Sequence, residues 1–281
     1  MIRQSLAALS LAALAAAGLA ACVIDERPES THGIVERGER LRAAIAAPTR
    51  TPANVERDRY RHPRETLSFF RIAPDDTVVE IWPGGGWYTE ILAPLLLQGG
   101  GTYYAAASGA NGHNGVRRLM EANPELYGGA RLVMFPATAP ADARVPDGSA
   151  DLVLTFRNVH NWMGSEDREP MAEEAFRQMY AMLKPGGTLG VVEHRLPEGL
   201  TGVDEATSGY VRASTVRRLA EAAGFRFDGE AEINANPLDD HDHPRGVWTL
   251  PPTLRLGETD RAAFLAIGES DRMTLRFVKP E

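Results

Sequence analysis

The stretch of sequence that decides the fold is Thr77-Val78-Val79-Glu80-Ile81-Trp82-Pro83-Gly84-Gly85-Gly86-Trp87-Tyr88-Thr89-Glu90-Ile91-Leu92. Its apolar beginning predicts a β-strand over 77–81, and its apolar end predicts the start of a helix. Three consecutive glycines lie between the two elements, and glycine lets a ligand approach backbone that side chains would otherwise cover. The stretch therefore predicts a ligand-binding loop, although a tight turn without a ligand is the alternative.

This pattern resembles motif I of class I S-adenosylmethionine (SAM)-dependent methyltransferases, a hydrophobic run followed by an acid and spaced glycines. The segment from Glu80 to Tyr88, Glu-Ile-Trp-Pro-Gly-Gly-Gly-Trp-Tyr, more closely resembles the corresponding motif in a subfamily of predicted exported methyltransferases. Gly84 and Gly86 stand at the second and third glycine positions of the general motif, and Trp82 stands at the first. A tryptophan there departs from the motif, since it places a large ring where the family usually has no side chain.

The resemblance implies an α/β fold with a doubly wound, Rossmann-like sheet that is mostly parallel and has an antiparallel last strand. It implies SAM as the cofactor and a small molecule as the methyl acceptor, whose identity the sequence does not reveal. The cofactor-binding residues that it implies are Glu80, Gly84, Gly85, Gly86, Tyr88 and Asn158.

Alternating strand and helix patterns along the chain also argue for a doubly wound sheet. After the first strand, the predicted strands are 102–107, 131–135, 151–156, 188–192, one from 225 onward and 272–278. The predicted helices are 33–47, 54–70 with a break at Pro63, about 86–97, one ending near 123, 166–183 and 213–223. The turn Lys184-Pro185-Gly186-Gly187 resembles a turn found throughout class I methyltransferases.

Composition limits the classes of partner. The chain of 281 residues has 30 basic and 38 acidic side chains, a formal net charge of −8. No basic run interrupts this acidic balance, so nucleic acid is not an expected partner. A hydrophobic fraction of 43% suits one sizeable core, and we predict a single methyltransferase-like domain over 54–281.

The N-terminus has the pattern of an export signal. An uncharged Ala/Leu-rich run over 6–21 follows Arg3 and is shorter than a typical transmembrane helix. This pattern predicts a signal peptide over 1–21. Leu19-Ala20-Ala21-Cys22 resembles the lipobox of bacterial lipoproteins, which implies a lipidated Cys22 and membrane attachment. Residues 22–53 then form a tether with a peripheral helix. Val23 is not the aspartate that signals inner-membrane retention, so the expected location is periplasmic, anchored to the outer membrane.

An ordinary secretory signal cut near Ala21, with Cys22 incidental, is the alternative. In either case the remainder of the chain contains no cysteine, so no disulfide framework is expected.

The loop after the fourth predicted strand, Arg157-Asn158-Val159-His160-Asn161-Trp162, is the candidate catalytic segment. Ligands of open α/β sheets bind beyond the carboxyl ends of the strands, at the point where strand order reverses. We predict His160 and Asn161 as catalytic residues, because His160 can orient or deprotonate an acceptor and Asn161 can hydrogen-bond it. Trp162 would form an apolar wall beside a sulfonium. The alternative is the start of a helix, with capping asparagines and a buried tryptophan.

Two departures from the family favour a rival function. The second strand ends Tyr104-Ala105-Ala106-Ala107-Ser108, without the acid that family members commonly use to bind both ribose hydroxyls. The loop Phe135-Pro136-Ala137-Thr138 also lacks the aspartate often found near the adenine amine. The rival is a non-catalytic ligand-binding lipoprotein on a degenerate methyltransferase fold, and export favours it because SAM is made in the cytosol.

A third possibility is a metal-dependent enzyme on the same scaffold. Asp239-Asp240-His241-Asp242-His243 places two histidines among carboxylates, and Glu193-His194 are candidates for additional ligands. The spacing matches no known zinc site, and a solvated acidic loop explains the cluster without a metal. We therefore predict no metal site. Asp58 and His62, on the helix before the first strand, are expected to pair or cap at the surface rather than face the pocket.

Overall fold

The computed structural model of the chain describes residues 31–138, 142–163 and 169–281. The predicted signal peptide, lipobox and Cys22 lie outside the described residues, so the export and anchoring expectations stay predictions. Within the described ranges, no helix is both long enough and apolar enough to cross a membrane.

The described chain contains nine strands, thirteen α-helices and one 3-10 helix, Glu232–Asn234. The strands are β1 (Thr77–Ile81), β2 (Thr102–Ala107), β3 (Arg131–Met134), β4 (Ala150–Phe156), β5 (Leu183–Leu196), β6 (Val211–Arg212), β7 (Arg226–Ala231), β8 (Pro244–Val247) and β9 (Arg272–Val278). The helices are α1 (Thr31–Ile45), α2 (Pro52–Val55), α3 (Asp58–Arg61), α4 (Pro63–Phe69), α5 (Thr89–Gly99), α6 (Gly109–Gly112), α7 (Asn114–Ala122), α8 (Pro124–Tyr127), α9 (Val159–Met163), α10 (Glu169–Met182), α11 (Glu205–Ser208), α12 (Ala213–Ala222) and α13 (Arg261–Ile267).

One eight-stranded sheet organises the molecule, with the order β3-β2-β1-β4-β5-β9-β7 and β6 paired to β5. The first five strands pair in parallel, whereas β9 runs antiparallel to both β5 and β7. This confirms the predicted doubly wound sheet, mostly parallel with an antiparallel last strand. The strand order reverses at β1, because β2 lies on one side of it and β4 on the other. A crevice therefore opens beyond the carboxyl ends of β1 and β4.

Side-chain alternation along β1 explains why the sheet is covered on both faces. Val79 and Ile81 belong to one buried cluster, and Val78 belongs to a second cluster on the other side. The helices α10 and α12 cover the first cluster, while α4 and α5 cover the second.

Several element bounds differ from the sequence prediction. The fifth strand was expected over 188–192, but β5 spans Leu183–Leu196, because Leu183 already pairs with Ala150 across an irregular register. The helix after the glycines begins at Thr89 rather than near Gly86, since the glycine loop forms turns first. The predicted helix over 54–70 is divided into α2, α3 and α4, and His62 separates the last two in a left-handed conformation (φ 38°).

The segment before residue 54 packs on the rest of the chain. Leu41 of α1 is buried in the cluster that α5 covers. Arg50 makes two hydrogen bonds to the carboxylate of Asp58, at 2.7 and 2.8 Å, and the Thr51 hydroxyl donates to Glu90 at 2.6 Å. The peripheral helix is therefore in contact with the domain, while the predicted boundary between tether and domain stays a prediction.

Candidate functional site

A cavity of about 350 Å³ opens at the crevice beside β1 and β4. Its wall combines the glycine-rich loop, the segment around α3, the loop after β4, the end of β5, the stretch after β8 and the residues just before β9. The lining residues are Asn54, Arg57, Arg61, Glu80, Trp82, Pro83, Gly84, Gly85, Trp87, Tyr88, Phe156, Arg157, Asn158, His160, Asn161, His194, Val247, Trp248, Pro251, Pro252, Thr253, Glu269 and Ser270. Within the described ranges, no lining residue comes from β2, β3 or the loops that follow them.

The glycine loop presents bare backbone to this cavity. Gly84 has a φ of 58°, a left-handed conformation that favours glycine, and a Cβ on Gly84 or Gly85 would meet nothing within 4 Å. Gly86 differs, because its Cβ would come within 2.8 Å of the Leu119 side chain on α7. Of the predicted loop glycines, the structure thus brings Gly84 and Gly85 to the cavity and turns Gly86 toward α7.

Glu80 is fully enclosed at the end of β1. One of its carboxylate oxygens accepts hydrogen bonds from the Tyr103 hydroxyl, at 2.5 Å, and the Thr89 hydroxyl, at 3.0 Å. Burial raises the pKa of Glu80 to about 7, although the bonds from Tyr103 and Thr89 lower it. Both polar contacts therefore fasten β1 to β2 and to α5. Only a small part of the Glu80 side chain is then exposed to the cavity for contact with a ligand.

Tyr88, another predicted cofactor contact, forms part of an aromatic wall. Its ring stacks on Phe156 with centroids 3.5 Å apart and lies edge-on to Trp87 at 4.5 Å. The indole of Trp87 donates to the backbone oxygen of Asn54 at 2.8 Å. The second half of the motif thus holds the segment around α2 and α3 over the cavity.

The indole of Trp82 reaches across the sheet. Trp82 has a φ of 49°, and its ring nitrogen donates to the backbone oxygen of Phe135, just after β3, at 3.0 Å. Because β2 lies between β1 and β3, an indole that joins the ends of those two strands covers the carboxyl end of β2. Its ring also packs edge-on against Trp162 at 5.7 Å. The predicted apolar wall by Trp162 is therefore provided at the cavity by Trp82, with Trp162 buried behind it.

His160 is held by a carboxylate. Its Nδ1 donates to Glu193 Oε1 at 3.0 Å, and Glu193 also accepts from the backbone nitrogens of His160 and His194. With Nδ1 engaged, Nε2 is the ring nitrogen that remains to accept a proton. His194 forms a 2.5 Å hydrogen bond between its Nδ1 and the Ser270 hydroxyl. Burial and the neighbouring His160 hold the pKa of His194 well below its ordinary value.

The two asparagines of the loop have different roles. The amide of Asn158 donates to the backbone oxygen of Ile81 at 2.8 Å, which ties the loop after β4 to the end of β1. Asn161 is exposed at the cavity rim. The structure therefore brings His160, Asn158 and Asn161 together in the lining of one cavity and sets Glu193 behind His160, while their catalytic and binding roles stay predictions.

A cluster of arginines, which the sequence analysis missed, forms one wall. Glu269 pairs with Arg57 at 2.6 Å, with Arg61 at 3.3 Å and with Arg272 at 3.1 Å. Burial raises the pKa of Glu269, but the surrounding guanidinium groups outweigh it and lower that pKa to about 2. The available signal was the four-residue spacing of Arg57 and Arg61, about one helical turn apart, in the predicted helix that precedes the first strand.

The second histidine cluster lies elsewhere. His243 contacts Asp239 at 2.9 Å and His241 contacts Asp271 at 3.3 Å, whereas Glu193 and His194 belong with His160. Among the described residues, two groups offer ligand atoms close enough to share a metal ion, His160–Glu193–His194 and Asp239–Asp240–His243. The proposed union of Glu193-His194 with His241 and His243 does not form. Asp58 forms an ion pair with Arg50, as expected, but the pair is not at the surface, because the Arg50 side chain is buried.

Comparison with solved structures identifies the class of fold. A SAM-dependent methyltransferase from Aquifex aeolicus aligns with a TM-score of 0.53 at 12% identity, covering 86% of this chain and 98% of that one. Geranyl diphosphate C-methyltransferase from Streptomyces coelicolor A3(2), in complex with Mg²⁺, geranyl-S-thiolodiphosphate and S-adenosyl-L-homocysteine, aligns with a TM-score of 0.54 at 14% identity, covering 84% of each chain. No protein-family model and no curated protein sequence matches the chain.

The chain thus has the α/β Rossmann-like fold of class I SAM-dependent methyltransferases. The fold alone does not define the reaction. The cyclase SpnF aligns with a TM-score of 0.55 at 14% identity, covering 89% of this chain and 95% of that one.

The residues fit only part of SAM. The bare backbone of Gly84 and Gly85 suits the amino-acid half, close to the loop that the family resemblance assigns to the cofactor. The end of β2 does not suit the adenosyl half, since Ala107 stands where an acid is common and the Trp82 indole covers that end. An adenosyl group in the family's usual place requires the indole of Trp82 to move.

Proposed function

We propose that this protein is an exported, lipid-anchored methyltransferase that uses SAM to methylate a small acceptor. The observation that carries the proposal is the His160–Glu193 pair, which opens into the cavity beside the glycine loop of a methyltransferase fold. When bound, SAM supplies an activated methyl group, so the protein has mainly to align the acceptor.

The chain's own residues have definite tasks in this proposal. Glu193 accepts a hydrogen bond from the Nδ1–H group and fixes the orientation of His160, as carboxylates do for catalytic histidines. The Nε2 atom of His160 accepts a proton from the acceptor as the acceptor becomes nucleophilic. Trp82, Tyr88 and Phe156 exclude water from one side of the cavity. Asn161 hydrogen-bonds the acceptor at the rim.

A second candidate function is supported by Trp82. An indole fixed over the end of β2 by a 3.0 Å hydrogen bond favours a ligand-binding protein that no longer accommodates an adenosyl group. Such a protein would keep the fold and the cavity without methyl transfer.

Calorimetry with SAM and with S-adenosylhomocysteine separates the two candidates. The methyltransferase proposal expects both to bind the folded wild-type protein, and expects His160→Ala to leave their affinity nearly unchanged. The same variant should lower turnover on an identified acceptor by about 10²–10⁴-fold, the usual contribution of a general base. Well-folded protein that binds neither compound would overturn the methyltransferase proposal in favour of the second candidate.

A further inference from the structure

One wall of the cavity carries more positive charge than its acidic neighbours balance. Arg57, Arg61 and Arg157 line the cavity, and Glu269 is the acid with which this cluster pairs. Among the described residues, two other buried acids are otherwise engaged: Glu80, which lines the cavity, accepts from Tyr103 and Thr89, and Glu193, behind the lining, holds His160. Arg272, just behind the wall, adds a further positive charge. The cavity wall therefore has an excess of buried cationic groups.

Several of these guanidinium nitrogens have no partner. The Nη2 atoms of Arg57 and Arg61 are buried without a hydrogen bond, and only 3% of Arg61 is exposed. Among the described residues, the Arg157 side chain makes no hydrogen bond or ion pair, although it is half-buried. Burying donors and charges without partners costs free energy, so such groups in one place indicate a ligand that satisfies them.

The positions of these arginines are fixed by the surrounding structure. The Arg61 guanidinium packs over the Trp87 ring, 4.7 Å from its centroid, while its Nε contacts Glu269. Arg157 is the first residue after β4 and has a left-handed φ of 62° that turns the chain at the cavity. A pre-organised set of guanidinium groups loses little conformational freedom on binding an anion.

We propose that the cavity binds a small organic anion, whose phosphate or carboxylate group is held by Arg57, Arg61 and Arg157. The aromatic part of the lining, which includes Trp87, Tyr88, Phe156 and Trp248, suits an apolar body attached to that anionic group. This inference goes beyond the proposed methyl transfer and holds for either candidate function.

The same charge balance bears on the methyl donor. A sulfonium is cationic, and like charges disfavour its approach to three arginines. An anion bound first would neutralise that wall. In the methyltransferase proposal, the acceptor itself would therefore carry the anionic group.

The experiment measures binding of phenyl phosphate, benzoate and neutral benzyl alcohol to the full-length wild-type protein by calorimetry at physiological ionic strength. Arg157→Gln is the diagnostic variant, because it removes a guanidinium that makes no hydrogen bond or ion pair within the described part of the chain. Arg59→Gln is its matched control, since Arg59 lies exposed on α3, outside the cavity, and carries the same charge. We expect phenyl phosphate or benzoate to bind, benzyl alcohol not to bind, and Arg157→Gln alone to weaken the anion by about tenfold or more.

Competition identifies which molecule supplies the anion. If S-adenosylhomocysteine displaces the bound anion, the arginines hold the carboxylate of the cofactor, and the proposed separate ligand is wrong. Equal weakening by Arg59→Gln, or no binding of either aromatic anion by folded protein, would also overturn the proposal. Anion binding without any binding of S-adenosylhomocysteine would uphold it while contradicting the methyltransferase function.

Discussion

At the scale of single residues, Trp82 has the largest consequence for the cofactor. It occupies a left-handed backbone conformation that bulky residues rarely adopt, and its indole is anchored to Phe135. A residue kept in an unfavourable conformation is held there by its surroundings, here the edge-on contact with Trp162 and the hydrogen bond to the backbone of Phe135, just after β3.

Replacing Trp82 by glycine should open the end of β2. We expect Trp82→Gly to bind S-adenosylhomocysteine at least about tenfold more tightly than wild type, because the ring leaves the place of the adenosyl group. Trp248→Gly is the control, since it also removes an indole from the lining but lies on the side away from β2. Equal gains in calorimetry for both variants would show that cavity size, rather than the position of Trp82, limits binding.

Glu80 should make the stability of the protein depend on pH. Its pKa rises from an ordinary 4.5 to about 7 in the folded state, so folded protein retains a proton that unfolded protein releases. Unfolding free energy should therefore decrease as pH rises from about 4.5 to about 7. The expected loss is on the order of 3 kcal/mol.

Urea denaturation of Glu80→Gln at several pH values tests this assignment. The variant should lack that part of the pH dependence, whereas Glu121→Gln, which changes an exposed side chain, should keep it. A Glu80→Gln curve parallel to that of wild type would show that Glu80 is charged throughout this range.

At the scale of elements, the sequence predicts the bounds of those strands that are determined by residues adjacent in the chain. The bounds of β1, β2 and β9 were predicted as observed. Apolar runs in β1 and β2 and alternating apolar residues in β9, each followed within two residues by glycine or proline, indicate a strand directly. The partners across the cavity were not predicted. Glu193 lies 33 residues from His160, and Glu269 lies 208 residues from Arg61, and only the sheet order brings such pairs together.

The same limit explains Trp82. The motif shows that a tryptophan replaces a glycine, but the direction of its ring depends on β3 and α9, which a local pattern does not place. Pro63 shows the opposite case, in which local chemistry sufficed to predict a break in the helix preceding β1.

The turn between β1 and α5 should distinguish binding from stability. Gly84→Val places a branched side chain at the cavity and forces a left-handed conformation, at about 1–3 kcal/mol. Gly148→Val is a matched control, because Gly148 has a φ of 64°, equally open surroundings and no place in the cavity lining. Both variants should lose similar melting temperature, and only Gly84→Val should weaken binding of phenyl phosphate and S-adenosylhomocysteine. Loss of binding in proportion to stability in both would identify Gly84 as structural.

At the scale of the whole molecule, the anchor expected at Cys22 decides where the cavity operates. Cys22→Ser should abolish acyl labelling and release the protein from membranes, since several acyl chains on one cysteine hold firmly whereas a single chain binds weakly. Val23→Asp is the informative companion variant, because it should keep the label but retain the protein at the inner membrane. Unchanged membrane partitioning of Cys22→Ser would contradict the lipoprotein prediction.

The contact between Trp87 and Asn54 limits how far the protein can be truncated from its N-terminus for expression. Asn54, Arg57 and Arg61 form a wall of the cavity, and Arg50 and Thr51 brace that wall against Asp58 and Glu90. A truncated protein that starts at the predicted domain boundary would retain every strand of the sheet yet lose these braces. Its sheet would fold around a cavity with one loosened side, so the smallest unit that preserves the site begins upstream of Arg50.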